Sequence, residues 1–179
     1  GKTTLLESVL PVLKEEFRVG IIEGDVATAN DAERVAALAA DTIQVNTDRF
    51  GGSCHLGSGM IKPALEELSY EELDIVIIEN IGNLICSAHF DVGAHFSIAL
   101  LSITEGADKP VKYPLMFRES QLALLTKMDL YPHLNIDVES MQENVRAINP
   151  QINLMSISFN SLEDTRDVAE WIRKKTITT

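Results

Sequence analysis

The chain begins with Gly1-Lys2-Thr3-Thr4, residue types that together can hold a polyphosphate. A lysine ammonium beside a run of backbone N–H groups can bind β- and γ-phosphates, and the hydroxyl that follows can ligate Mg²⁺. Lys2 and Thr3 are the phosphate and Mg²⁺ candidates; Gly1 lets the backbone approach closely, and Thr4 supports the loop or the start of the helix. As a bare tetrapeptide the motif could also be an ordinary glycine before an amphipathic helix. The glycines and the strand that normally precede such a loop are expected to lie before residue 1, so the first strand and the start of the phosphate loop are missing from this stretch.

Three further groups of residues carry chemistry. Asp25 and Glu79 each follow an apolar run; either could ligate the metal or its water, or orient an attacking water. Gly82 could bring backbone close to a γ-phosphate. Thr126-Lys127-Met128-Asp129 has the form of a base-recognition loop. There the Asp129 carboxylate can accept both N–H groups of the guanine Watson–Crick edge, and the Lys127 stem can lie over the base. Cys54 and His55 are adjacent in a glycine-rich stretch, and Cys86 lies seven residues beyond Glu79. Thiolate and imidazole suit Zn²⁺ or Ni²⁺. Two or three donors from one chain suit an open site shared with a second copy or with water. Cys86 alone could equally be a small buried hydrophobe, and His89, His95 and His133 read as ordinary loop or surface histidines.

These residues need elements to position them. Leu5, Leu6, Val9, Leu10 and Leu13 predict a helix whose N-terminus faces the phosphates. Strands are expected at 18–22, 42–45, 74–78, 96–103, 122–125 and 152–157. Asn30 is placed to cap a helix through Ala39, Pro63 to lie near the start of a helix through Leu65 and Leu68, and Asp137 to cap a helix through Ile148. A last helix is expected over 163–175, with Val168, Trp171 and Ile172 along one side. Alternating apolar runs and helical patterns predict an α/β fold of the P-loop NTPase kind, a mostly parallel sheet with helices on both faces. Asp25, Glu79 and Asp129 then fall at carboxyl ends of strands, where such sheets bind ligands. No linker or repeat interrupts the pattern, so residues 1–179 read as one domain.

Composition narrows the partners. The net charge is −12, from 15 Lys and Arg against 27 Asp and Glu, which disfavours nucleic acid and anionic lipid. No stretch is long and apolar enough for a membrane span. Two cysteines in a nucleotide-binding chain read as reduced cytoplasmic thiols.

Several segments, taken together, resemble the hydrogenase nickel-incorporation GTPases, relatives of the urease accessory GTPases. They are GKTTLLE at 1–7, IEGDVAT at 22–28, CHL at 54–56, IENIGNLIC at 78–86, LLSITEGADKPVKYPLMF at 100–117 and LLTKMDLYP at 124–132. The resemblance implies a cytoplasmic GTPase (G) domain that binds GTP or GDP with Mg²⁺, forms a homodimer around nucleotide, and delivers nickel to the hydrogenase large subunit. A second nickel-insertion accessory protein is an implied partner. It further implies that Cys54, His55 and Cys86 bind Ni²⁺ or Zn²⁺ at the dimer interface, and that Asp25 and Glu79 lie near the Mg²⁺ and γ-phosphate. Lys127 and Asp129 would recognise guanine, and Lys109 or Lys112 would reach nucleotide.

The chain departs from the family pattern at three places. Thr126 stands where the base motif usually has Asn. Ser156-Ile157-Ser158-Phe159-Asn160 replaces the usual Ser-Ala-Lys-type loop. Gly57 replaces a common acid after the Cys-His pair. Delivery to urease, a P-loop ATPase or kinase with non-functional cysteines, and a nucleotide-held scaffold remain alternatives.

Overall fold

The structure is a computed structural model that describes residues 1–25, 41–46, 56–82, 86–89 and 91–178; the side chains of Asp25, Asn46, Cys86 and Ser87 also lie outside the description. In order, the elements are α1 (Lys2–Leu13), β1 (Val19–Asp25), β2 (Asp41–Asn46), α2 (Ser58–Glu67), β3 (Ile75–Glu79), α3 (Cys86–His89) and β4 (Ile98–Ser102). There follow α4 (Lys109–Lys112), α5 (Pro114–Glu119), β5 (Leu122–Thr126), α6 (Val138–Ile148), β6 (Asn153–Ser156) and α7 (Leu162–Thr178). The chain forms two compact units, one of residues 2–94 and 166–179, the other of Gly1 and 95–165.

The first unit holds a three-stranded sheet in the order β2-β1-β3. Both pairings are parallel, with Ile22 opposite Ile43 on one side and Ile78 on the other. Helix α1 buries Leu5, Leu6, Val9, Leu10 and Leu13, the five positions of its apolar periodicity. Ile22, Val45, Leu56, Ile61, Ala64 and Leu68 form one core cluster of this unit. Helix α2 starts at Ser58, five residues before the proline expected near its start, and Pro63 lies inside it. Gly57 is extended and its carbonyl takes the first amides of the helix, from Met60 and Ile61. Pro63 therefore falls in the second turn, where its missing N–H leaves the Gly59 carbonyl without the regular helical donor.

The second unit holds the parallel sheet β4-β5-β6. All five residues of the central β5 are buried, so both of its faces are covered. Ala123 and Leu125 pack with Phe117, Met141 and Val145, while Leu122 and Leu124 occupy the opposite face. Asp137 caps α6 as its position in the sequence predicts, its Oδ1 accepting the Ser140 N–H at 2.8 Å. Strand β4 is shorter than the expected 96–103, because Ile103–Glu105 turns into a 3₁₀ helix behind a Ser102 cap.

Every strand pair among the described residues is parallel, and the fold is the P-loop NTPase-like α/β fold expected. The helix that Asn30 was expected to cap lies outside the described residues. No helix among them is long and apolar enough to cross a membrane.

Candidate functional site

The phosphate candidates lie in the first unit. Lys2 and Thr3 open α1, so the unpaired N–H groups and the positive end of a 12-residue helix lie beside them. The end of β3 comes to the same place. The Thr3 hydroxyl donates to Glu79 Oε1 at 3.2 Å, and the Lys2 ammonium stands 4.0 Å from the same oxygen. The Glu79 side chain is 8% exposed and the Lys2 side chain 40%. The carboxylate is thus held in place, while the lysine, at the limit of ion-pair range, can turn toward an anion.

Gly82 completes this group, since a Cβ built there would lie 3.3 Å from Lys2 Nζ. Backbone at Gly82 therefore comes as near the lysine head as a side chain would allow. A hydroxyl and a carboxylate oxygen 3.2 Å apart are hard donors of the kind Mg²⁺ takes, so the residues present fit that ion. Asp25 ends β1 as expected, but its side chain is outside the described residues. Thr4 contributes its carbonyl to the Ser8 hydroxyl, a contact within the helix.

A residue not singled out by its sequence position lies next to this group. Glu23 is 3% exposed and pairs in register with Glu79, which puts the two acidic residues side by side on one face of the sheet. The signal was an acid inside an otherwise apolar strand, which reads more simply as the start of a loop.

Beyond Glu79 the chain is held by Asn80. Its Oδ1 accepts the N–H of Ile81 at 2.8 Å and that of Leu56 at 3.0 Å. Leu56 is fully buried, and a Cβ on Gly24 would come within 2.6 Å of its Cγ and Cδ1. Cys54 and His55 lie outside the described residues. Cys86 opens α3 and His89 closes it, but the Cys86 side chain is not described. Among the described residues no three His, Cys, Asp or Glu side chains are grouped to hold a metal.

The base candidates lie in the second unit. Strand β5 ends at buried Thr126, and Lys127 follows in the left-handed region at φ 65°. That conformation is unfavourable for a side chain by about 1–3 kcal/mol. It is offset here by the Met128 N–H bonding the Ile157 carbonyl at 3.2 Å. The turn leaves Lys127 and Asp129 exposed.

Ser158 lies in the loop 156–160, which stands in place of the usual Ser-Ala-Lys-type loop. Its hydroxyl donates to Asp129 Oδ1 at 3.2 Å, and its own N–H is held by Asp164 Oδ2 at 2.7 Å. One carboxylate oxygen is thereby oriented, and both oxygens keep lone pairs for a donor pair. Lys109 and Lys112, candidates only through the family resemblance, are engaged locally. Lys109 pairs with Glu105 at 2.9 Å and lies over the Tyr113 ring, and Lys112 pairs with Asp108. The Glu105 carboxylate raises the Lys109 pKa, and Lys112 lowers that of Asp108.

Residues 1–156 match the model of the CobW/HypB/UreG nucleotide-binding domain. The hydrogenase maturation factor HypB of Escherichia coli is 46% identical over 172 residues, covering 96% of this chain and 58% of that protein. A probable hydrogenase maturation factor HypB of Methanocaldococcus jannaschii is 37% identical, covering 97% of this chain and 77% of that protein. The crystal structure of HypB from Helicobacter pylori in complex with nickel superposes with a TM-score of 0.90 at 32% identity, over 99% of this chain and 82% of that one. The chain spans a little over half the length of several of the curated relatives it matches.

Proposed function

We propose, from the premise that the chain belongs to the CobW/HypB/UreG family and within it to the HypB hydrogenase maturation factors, that it is the GTP-hydrolysing part of a nickel chaperone. The observation that carries the reading is the Thr3 hydroxyl bonded to buried Glu79 beside Lys2, at the N-terminus of α1. It supplies in one place the cation, the hydroxyl and the carboxylate that phosphoryl transfer requires.

Lys2 and the opening N–H groups of α1 would bind the β- and γ-phosphates. Thr3 and Glu79, with Asp25 from the end of β1, would hold Mg²⁺. When bound, that ion neutralises charge on the transferring phosphoryl group. Glu79 orients the attacking water, and Gly82 brings backbone donors toward the γ-phosphate. The reading expects slow turnover, well below the roughly 10–100 per second of a metabolic kinase. In the base loop, Asp129 accepts the guanine N–H pair and Lys127 lies along the base.

Cys54, His55 and Cys86 would take Ni²⁺, or Zn²⁺ in its place. Because one chain offers too few donors for a closed site, a homodimer completes it. GTP favours the dimer and hydrolysis disfavours it. The cargo passes in the cytoplasm to the hydrogenase large subunit, with a second nickel-insertion accessory protein taking part.

The test is a Ni²⁺ titration of the full-length protein by calorimetry, with mass measured in solution, in GDP and in a non-hydrolysable GTP analogue. The reading expects the analogue to drive dimerisation and to change nickel affinity or stoichiometry. Nucleotide binding that leaves both unchanged would reduce the protein to a simple GTPase or scaffold. Cys54→Ala and Cys86→Ala should each lower nickel stoichiometry while GTP still binds; normal stoichiometry in both would remove the ligand assignment.

A further inference from the structure

We propose that Asn80 and Leu56 form the mechanical joint through which the nucleotide state reaches the Cys54-His55 pair, an inference that rests on the chaperone reading above. Leu56 N belongs to the peptide bond that joins this residue to His55. That amide donates to Asn80 Oδ1 at 3.0 Å, across 24 residues of chain. The same oxygen accepts the Ile81 N–H at 2.8 Å, which fixes the carboxamide to the segment running from Glu79 to Gly82. That segment is bonded by Thr3 at Glu79 and passes near Lys2 at Gly82, where a Cβ would lie 3.3 Å from Nζ.

The side chain of Leu56 is anchored as firmly as its amide. It is fully buried among Ile22, Val45, Ile61, Ala64 and Leu68. It also lies so close to Gly24 that a Cβ there would be 2.6 Å from its Cγ and Cδ1. Gly24 precedes Asp25, and Asn80 follows Glu79. The two strand ends that carry the candidate Mg²⁺ carboxylates therefore bear on one leucine, two residues from Cys54.

A closely packed contact passes a displacement on, because neither partner has space to yield. If a γ-phosphate draws the 79–82 segment toward Lys2, the Asn80 oxygen moves with it. The Leu56 N–H must then follow or lose its acceptor in a buried setting, which is unfavourable. Following carries the peptide bond of His55 along. Coupling of this kind is reciprocal, so nickel at the Cys-His pair would in turn change GTP affinity.

The experiment measures nickel affinity of the full-length protein in GDP and in the GTP analogue, for wild type, Asn80→Ala and Asn80→Asp. Wild type should differ at least fivefold between the two nucleotides. Asn80→Ala should reduce that difference to within twofold, with nucleotide affinity measured without nickel staying within threefold. Asn80→Asp keeps an acceptor in place and should keep most of the difference. A wild type with no difference overturns the chaperone reading and the joint with it. A difference that survives in Asn80→Ala overturns the joint alone. Amide exchange at Leu56 in wild type provides a readout independent of the variants. A rate that changes at least fivefold between the two nucleotides, while Ala64 and Leu68 stay constant, supports the joint; an unchanged Leu56 rate overturns it.

Discussion

The Thr3 hydroxyl and the Glu79 carboxylate, 76 residues apart in sequence, meet at 3.2 Å at the head of α1. Glu79→Gln keeps the volume and one acceptor oxygen but removes the charge. Loss of a group that positions water or metal during phosphoryl transfer lowers turnover by roughly 100-fold. GTP hydrolysis measured by phosphate release should fall by about that factor. A variant that hydrolyses GTP at the wild-type rate would take Glu79 out of the chemistry.

Ser158 makes a different contribution, since it touches Asp129 and orients it. Ser158→Ala removes the bond to Asp129 Oδ1 and leaves the fold of the loop to Asp164. A hydrogen bond to a charged group contributes about 1.5–3 kcal/mol, less where water competes, so GTP affinity should drop about tenfold. ATP, which lacks the N–H pair that Asp129 accepts, should bind as before. Competition binding of GTP against ATP reads the difference. An equal loss for both nucleotides would mean that Ser158 supports the loop and not base selection.

Contacts of this kind mark where sequence reasoning stops. Ile75–Glu79 and Leu122–Thr126 were legible because each is a short continuous apolar run, the second of them buried on both faces. The Asp137 cap was legible because capping is local, over three residues. Helix α2 began earlier than expected because Pro63 resembles a first-turn proline, whereas the start is set by extended Gly57. Helices α4 and α5, of 4 and 6 residues, are too short to show a periodicity. Glu79 and Asp129 were found from their places at strand ends. The bonds that hold them were not, because Thr3 meets Glu79 across 76 residues of chain and Ser158 meets Asp129 across 29, and no local pattern records such a distance. Cys54 and His55 were singled out by type and spacing alone and lie outside the described residues.

Asn149 supplies a stability prediction. Its Nδ2 lies 3.0, 3.3 and 3.1 Å from the carbonyls of Phe117, Arg118 and Ser120, and its Oδ1 accepts the Gln151 N–H. One amide thus closes the end of α5 and the turn after α6. Asn149→Ala leaves those carbonyls without this donor and should cost about 1–3 kcal/mol in urea unfolding. Asn149→Asp should cost more, because a carboxylate there faces three acceptors. An Asp variant more stable than the Ala variant would show that the donor contacts do not matter.

The pH dependence of α7 has a definite sign. Glu170 is held at a pKa of about 2, below its ordinary 4.5, first by its hydrogen bond to Arg173 and then by Lys174. The bond runs from Arg173 Nε to Glu170 Oε2 at 2.6 Å, with a second from Nη2 to Oε1 at 2.9 Å. A carboxylate with a lowered pKa stabilises the folded state above its unfolded value, and that contribution is lost as protons are taken up. Stability from this pair should therefore be complete above about pH 4.5 and fade toward pH 2. Both side chains are substantially exposed, so the effect is small and screened by salt. Thermal unfolding of wild type and Glu170→Gln at low ionic strength should differ at pH 6 and converge as pH falls from 4.5 to 2. A difference that persists undiminished at pH 2 would mean that Glu170 acts through helix packing and not through its charge.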